Sequence, residues 1–193
     1  MKRGCYCLWK SVELALVTIF GALGLVYTVT VGQIGQYITG IPGANFLFII
    51  GYVIFISSQF LLYKGKKWRY FVSTVLFVLL ITPTNFAGAP FDIIARIPII
   101  IHAFFADLLF NSVYGFFEKD NKLLWWTILL SLEYNILNPF FSILFYSFLY
   151  PPEFVETFTN AVLFMFPVIV IESIVGGYVG YKIYSRVEKL QKD

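Results

Sequence analysis

Asp92 and Arg96 stand four residues apart in a stretch that is otherwise almost wholly apolar. On a helix that spacing puts both side chains on one face. Ala103, Asp107 and Asn111 continue the face, giving a polar stripe with a small residue at its middle. An arginine beside a carboxylate in such a setting can grip a carboxylate or phosphate on a solute. It can equally be an interfacial ion pair that fixes a helix end, and both readings stand at this point. Asp107 reads as a structural hydrogen-bonding group. His102 falls off the stripe by about 120° at 100° per residue, where a packing histidine is expected.

A second stripe carries no charge. Ser131, Asn135, Asn138 and Ser142 follow helical spacing, with Tyr146 nearby. Pro139 interrupts the helix hydrogen-bond ladder beside them. Amides and hydroxyls without charge suit a neutral heterocycle or another polar organic solute. The same groups also serve interhelical hydrogen bonding in membrane bundles. Thr157, Thr159 and Asn160, at the start of the last apolar stretch, can complete a pocket. Glu133 lies near the middle of its stretch and needs a partner that the sequence does not name.

The elements that must hold these residues are apolar helices. The composition is 59% apolar, 20% aromatic and 13% charged, against roughly 25% charged in soluble domains. Candidate spans of about 20 residues fall over 11–31, 45–63, 70–87, 92–116, 123–149 and 157–184. A soluble all-helix reading fails, because soluble helices keep a polar face and these are apolar around most of the circumference. Of the fourteen Lys and Arg residues, all but Arg96 lie in every second gap between the stretches. Positive charge stays on the cytoplasmic side. The expectation is therefore an all-α polytopic membrane protein with six transmembrane helices and both termini cytoplasmic. One integral membrane domain covers 1–193, in the cell membrane of a prokaryote. The net charge of +3 sits in short inner loops and is no nucleic-acid signal.

Two further features concern the ends of the bundle. The first outer connection, Gly32–Ala44, is glycine-rich and uncharged. It is either a lid over the bundle mouth, with Gln33, Gln36 and Tyr37 as its polar contacts, or a plain connector. Ser11, Ala15, Thr18 and Ala22 form a smooth face on the first helix, and Glu172, Gly176 and Gly180 form another on the sixth. Small residues at this spacing let helices approach closely. Two such faces favour docking to a partner in the membrane.

Several chemistries lack their residues. There is no nucleophile elbow, no His-Glu-x-x-His motif and no Gly-rich phosphate loop. Enzymatic activity, ATP hydrolysis included, is not expected of this chain. One histidine and the two cysteines Cys5 and Cys7 do not build a zinc site, so no metal or cofactor is expected.

The chain resembles the substrate-binding S components of energy-coupling-factor (ECF) transporters. The resemblance rests on chain size and on the first outer loop ending GIPGANF. It also rests on GAPFDIIARIPIIIHAFFADLLF entering the fourth helix and on the ending IESIVGGYVGYKIYSRV. It implies a high-affinity binder of a vitamin-like solute, with a site near the outer face built from the first loop and helices four to six. Asp92, Arg96, Asn135, Asn138, Ser142, Tyr146 and Asn160 are the candidate contacts. It also implies docking on a transmembrane coupling protein that carries two ATPase subunits. The family's Ala-x-x-x-Ala docking face is replaced by Ser11-x-x-x-Ala15, then Thr18 and Ala22. Two rivals stand beside this reading. One is a structural scaffold of a cell-envelope assembly. The other is a small proton-coupled transporter using Glu133, Asp107 and His102.

Overall fold

The structure is a computed structural model describing residues 9–41 and 43–190. Cys5 and Cys7 lie outside the described residues. The chain is all-α. Its helices are α1 (Ser11–Thr30), the short α2 (Ile34–Thr39), α3 (Ile50–Tyr63), α4 (Arg69–Ile81), α5 (Ile97–Lys119), α6 (Leu123–Leu149) and α7 (Pro152–Leu190). Tight 3-10 turns at Ala44–Phe48 and Ile94–Arg96 lead into α3 and α5.

Six of these helices close a ring. α1 packs on α4, α4 on α5, α5 on α6, α6 on α7, α7 on α3, and α3 back on α1. One end of the ring is plugged by aromatic packing. Phe60 lies against Tyr70 at 4.3 Å in a tilted pair and meets Phe110 and Trp126 edge-on, all four buried. The Trp126 indole N–H donates to the Phe110 carbonyl at 3.2 Å. The other end carries α2 and the two 3-10 turns and is called the loop end below. Among the described residues, every Lys and Arg except Arg96 lies away from the loop end.

Among the described residues, four helical segments are long and apolar enough to cross a membrane, beginning at Ser11, Ile94, Leu123 and Pro152. The expected spans over 45–63 and 70–87 are corrected. α3 has 14 residues and α4 has 13, or about 20 Å of rise each, against about 30 Å of hydrocarbon. Residues 44–48 form a 3-10 turn and residues beyond Ile81 turn aside. The last helix is longer than expected and starts at Pro152.

Both short helices begin on a borrowed carboxylate. A helix start leaves backbone N–H groups without partners, and these are costly away from water. Asp107 of α5 accepts from the N–H groups of Trp68 at 2.7 Å and Phe71 at 2.9 Å, at the head of α4. Glu172 of α7 accepts from the Ile49 N–H at 3.0 Å, at the head of α3. Each carboxylate also faces the positive end of the helix dipole. At the basic end, Glu13 of α1 pairs with Lys66 and, at 2.8 Å, with Arg69. The Arg69 guanidinium lies 4.6 Å from the Trp9 ring.

The glycine face of α7 packs inside the ring. A Cβ on Gly176 would come 2.7 Å from Val53, and one on Gly180 would collide with the Ser57 hydroxyl. Both glycines let α3 approach α7. Ser11, Ala15, Thr18 and Ala22 are all exposed.

Candidate functional site

The ring holds a cavity of about 330 Å³ at its loop end. Tyr52 of α3, Phe77 of α4 and Tyr134 of α6 reach into it from three sides, with the Tyr52 and Phe77 rings edge-on at 5.8 Å. Tyr146 of α6 and Phe158 of α7 form a second aromatic wall, edge-on at 5.2 Å. Residues before α3 and after α4 complete the lining. Asn45 and Phe46 come from the first segment, and Asn85 and Phe86 from the second.

The neutral stripe of α6 is brought together here. Asn135, Asn138, Ser142 and Tyr146 all line the cavity. The Asn135 side-chain N–H groups donate to the Ser131 carbonyl at 2.9 Å and to the Ser173 hydroxyl at 3.0 Å. The Ser142 hydroxyl donates to the Asn138 carbonyl at 3.0 Å. Asn138 Oδ1 is buried and has no hydrogen-bond partner. Pro139 has no N–H to offer the Asn135 carbonyl one turn earlier.

The charged stripe goes elsewhere. Arg96 is fully buried and is not among the lining residues. Its Nη2 donates to the Thr84 carbonyl at 2.8 Å. Its Nη1 donates to the Ala89 carbonyl at 3.1 Å and to that of Asp92. The guanidinium thus ties together the segment 84–92 rather than facing a solute. The Asp92 carboxylate turns away from it. Oδ1 accepts from the Ala95 N–H at 3.2 Å and Oδ2 from the Tyr150 hydroxyl at 3.3 Å. Burial first, then the adjacent Asp92 carboxylate, raises the Tyr150 hydroxyl above its ordinary pKa. Tyr150 stays protonated as a donor at the cavity edge.

The remaining candidates divide. Gln36 lines the cavity, Gln33 is buried outside the lining, and Tyr37 points outward, 69% exposed. Asn160 is exposed and borders a shallow groove with Ser147, Glu156 and Thr159. Sequence reasoning missed Asn45, Asn85 and the aromatic walls. A signal was present, since each uncharged loop carries an Asn-Phe pair, and both pairs reach the cavity.

A second buried polar group lies beside the cavity. His102 Nε2 sits 3.4 Å from Glu133 Oε1. The imidazole is fully buried, 4.7 Å from the Tyr134 ring and 5.7 Å from the Phe141 ring. Tyr134 thus has the cavity on one side and His102 on another.

Among the described residues no group of three or more His, Cys, Asp or Glu side chains gathers at metal-binding distance. The lining offers aromatic rings, amides and hydroxyls, which suits binding and orienting a small molecule. Compared with protein-family models, curated proteins and solved structures, the chain matched none.

Proposed function

We propose that the protein is the solute-binding membrane subunit of an uptake system of the ECF type. In this reading the bundle crosses the bilayer, α3 and α4 doing so only together with the turns at their ends, the loop end faces outward and both termini are cytoplasmic. The alternation of positive charge supports that orientation, since ten described Lys and Arg residues lie away from the loop end. A small vitamin-like organic solute enters the cavity, and uptake is driven by ATPase subunits acting through a transmembrane coupling protein. The observation that carries the reading is the cavity itself. It lies at one end of a closed ring, lined by rings and amides, with two loop segments over it.

The exposed α1 face with Ser11, Ala15, Thr18 and Ala22 is the surface this reading gives to the coupling protein. Native mass spectrometry of gently purified protein tests the core of the reading. A small organic solute should be released on activation, and Asn138→Ala should purify with less of it. Protein of full occupancy in the variant would remove the cavity from consideration.

One observation favours a second reading, a small proton-coupled transporter. The His102–Glu133 pair is buried one ring away from the cavity. Asp107 no longer belongs to such a path, because both its oxygens hold the head of α4.

A further inference from the structure

What the α6 stripe has left to offer defines the class of solute. The inference rests on the binding reading above. We infer that the cavity takes an uncharged planar ring carrying N–H donors along one edge.

Charge is the first constraint. Among the described residues no Asp, Glu, Lys, Arg or His lines the cavity. Ionisable groups around it are turned to other partners: Glu172 accepts the Ile49 N–H, and His102 faces Glu133 at 3.4 Å. Arg96 serves three backbone carbonyls, and Asp92 serves the Ala95 N–H and the Tyr150 hydroxyl. An ion carried into this space would lose its water and find no opposite charge, which is heavily penalised.

Hydrogen bonding is the second constraint. Two polar groups of the stripe, Asn135 and Ser142, have their donors used and an acceptor left. Asn135 gives its side-chain N–H groups to Ser131 and Ser173, which leaves Oδ1. Ser142 gives its hydroxyl hydrogen to the Asn138 carbonyl, which leaves the oxygen lone pairs. Asn138 Oδ1 is buried and unmet. A buried acceptor without a partner has lost its water for nothing, and a solute with N–H donors makes good that loss. The surrounding rings of Tyr52, Phe77 and Tyr134 favour a flat aromatic body in stacked or edge-on contact.

Matched probes on the full chain in detergent or nanodiscs test the class. Uracil and nicotinamide are neutral rings with N–H donors. Orotate and nicotinate are their anionic counterparts, and 1,3-dimethyluracil keeps the ring but loses the donors. At least one neutral probe should bind saturably by isothermal titration calorimetry. Its anion, and the dimethylated ring, should bind at least tenfold more weakly. Asn138→Ala and, separately, Ser142→Ala should each weaken that probe about tenfold or less, with the larger loss at Asn138. Native mass spectrometry supplies the second arm, through the charge and structure of any released solute.

Saturable binding of an anion as tight as that of its neutral partner overturns the class and leaves the cavity standing. Release of a charged or non-aromatic solute does the same. A released neutral aromatic solute supports the class even when neither probe binds. Binding that both variants leave unchanged moves the site out of the cavity and overturns the binding reading. The absence of any bound probe and any released solute overturns that reading too.

Discussion

The carboxylate of Asp107 on α5 accepts the Trp68 backbone N–H at 2.7 Å, and with it the start of α4 is set inside the bundle. The second oxygen takes the Phe71 N–H, and Glu172 repeats the arrangement for α3. Two helices too short to cross a bilayer are thereby held by two that are long enough. Their shortness is also what makes the cavity, since the segments before α3 and after α4 fold into its lining.

Asp107→Ala removes both acceptors from a buried helix start. A loss of about 2–4 kcal/mol is expected, from one charged cap and the N–H groups left unmet. Asp107→Asn should recover part of it, because one amide oxygen can still accept. Thermal unfolding in detergent, followed by circular dichroism, gives the order wild type, Asn, Ala. Equal stability of Asn and Ala variants would contradict the cap.

The two smooth helix faces should respond oppositely to bulk. Gly180→Leu forces a side chain into Ser57, and Gly176→Leu forces one into Val53. Overpacking of this kind costs about 1–3 kcal/mol or more. Ala15→Leu and Ala22→Leu lie on an exposed face and should leave the melting temperature within a degree or two of wild type. Under the docking proposal the α1 variants should instead lose co-purification with a coupling subunit.

These contrasts mark how far the sequence could be read. Helix number and the neutral stripe of α6 were legible, because hydropathy and helical spacing are local properties. α6 begins and ends where its apolar run does, at Leu123 and Leu149. The role of Arg96 was not legible. Its partners are the carbonyls of Thr84, Ala89 and Asp92, and every residue has a carbonyl, so no residue type announces the contact. The lengths of α3 and α4 were hidden for a similar reason. Their ends are set by Glu172 and Asp107, which lie far away in the chain. Gly176 and Gly180 gave a smooth face, but only the packing says that α3 occupies it.

Arg96 should behave as a loop anchor. Arg96→Ala frees three carbonyls of the segment 84–92 and should cost roughly 3 kcal/mol, given hydrogen bonds to a charged group of about 1.5–3 kcal/mol each and partial compensation by water. Arg96→Lys should rescue little, because an ammonium does not match the planar fork that spans Thr84 and Ala89. Hydrogen exchange at residues 84–92 should rise in both variants. The preference between uracil and orotate should stay as in wild type, which an arginine gripping an anion would not allow.

The proposed orientation is open to thiol labelling in a Cys5→Ser, Cys7→Ser background. Tyr37→Cys is exposed at the loop end, and Asn121→Cys is exposed at the turn between α5 and α6. A membrane-impermeant maleimide applied to intact cells should label position 37 and not 121. Position 121 should react only after the membrane is opened. The reverse result would turn the protein over and place the cavity on the cytoplasmic side.

The His102–Glu133 pair separates the two functional readings. Glu133 is a carboxylate inside an apolar helix, and on insertion scales such a group is disfavoured by roughly 2.5–3.5 kcal/mol. His102 Nε2, at 3.4 Å, is the polar group that faces it, and neither nitrogen of the buried imidazole makes a hydrogen bond. If the pair is only structural, Glu133→Gln keeps a polar partner for the imidazole and solute affinity stays within about twofold of wild type, a change under 0.5 kcal/mol. If the pair carries protons, the same variant must abolish uptake driven by an imposed pH gradient in proteoliposomes of the purified chain. The binding-subunit reading expects no gradient-driven uptake from wild-type protein alone. Wild-type uptake that responds to the gradient and disappears in Glu133→Gln would replace that reading with the proton-coupled one. Because His102 touches Tyr134 and Tyr134 lines the cavity, His102→Leu should disturb binding more than Glu133→Gln does. It replaces a planar ring behind Tyr134 with a branched chain of different shape, and Tyr134 is the residue the two sites share.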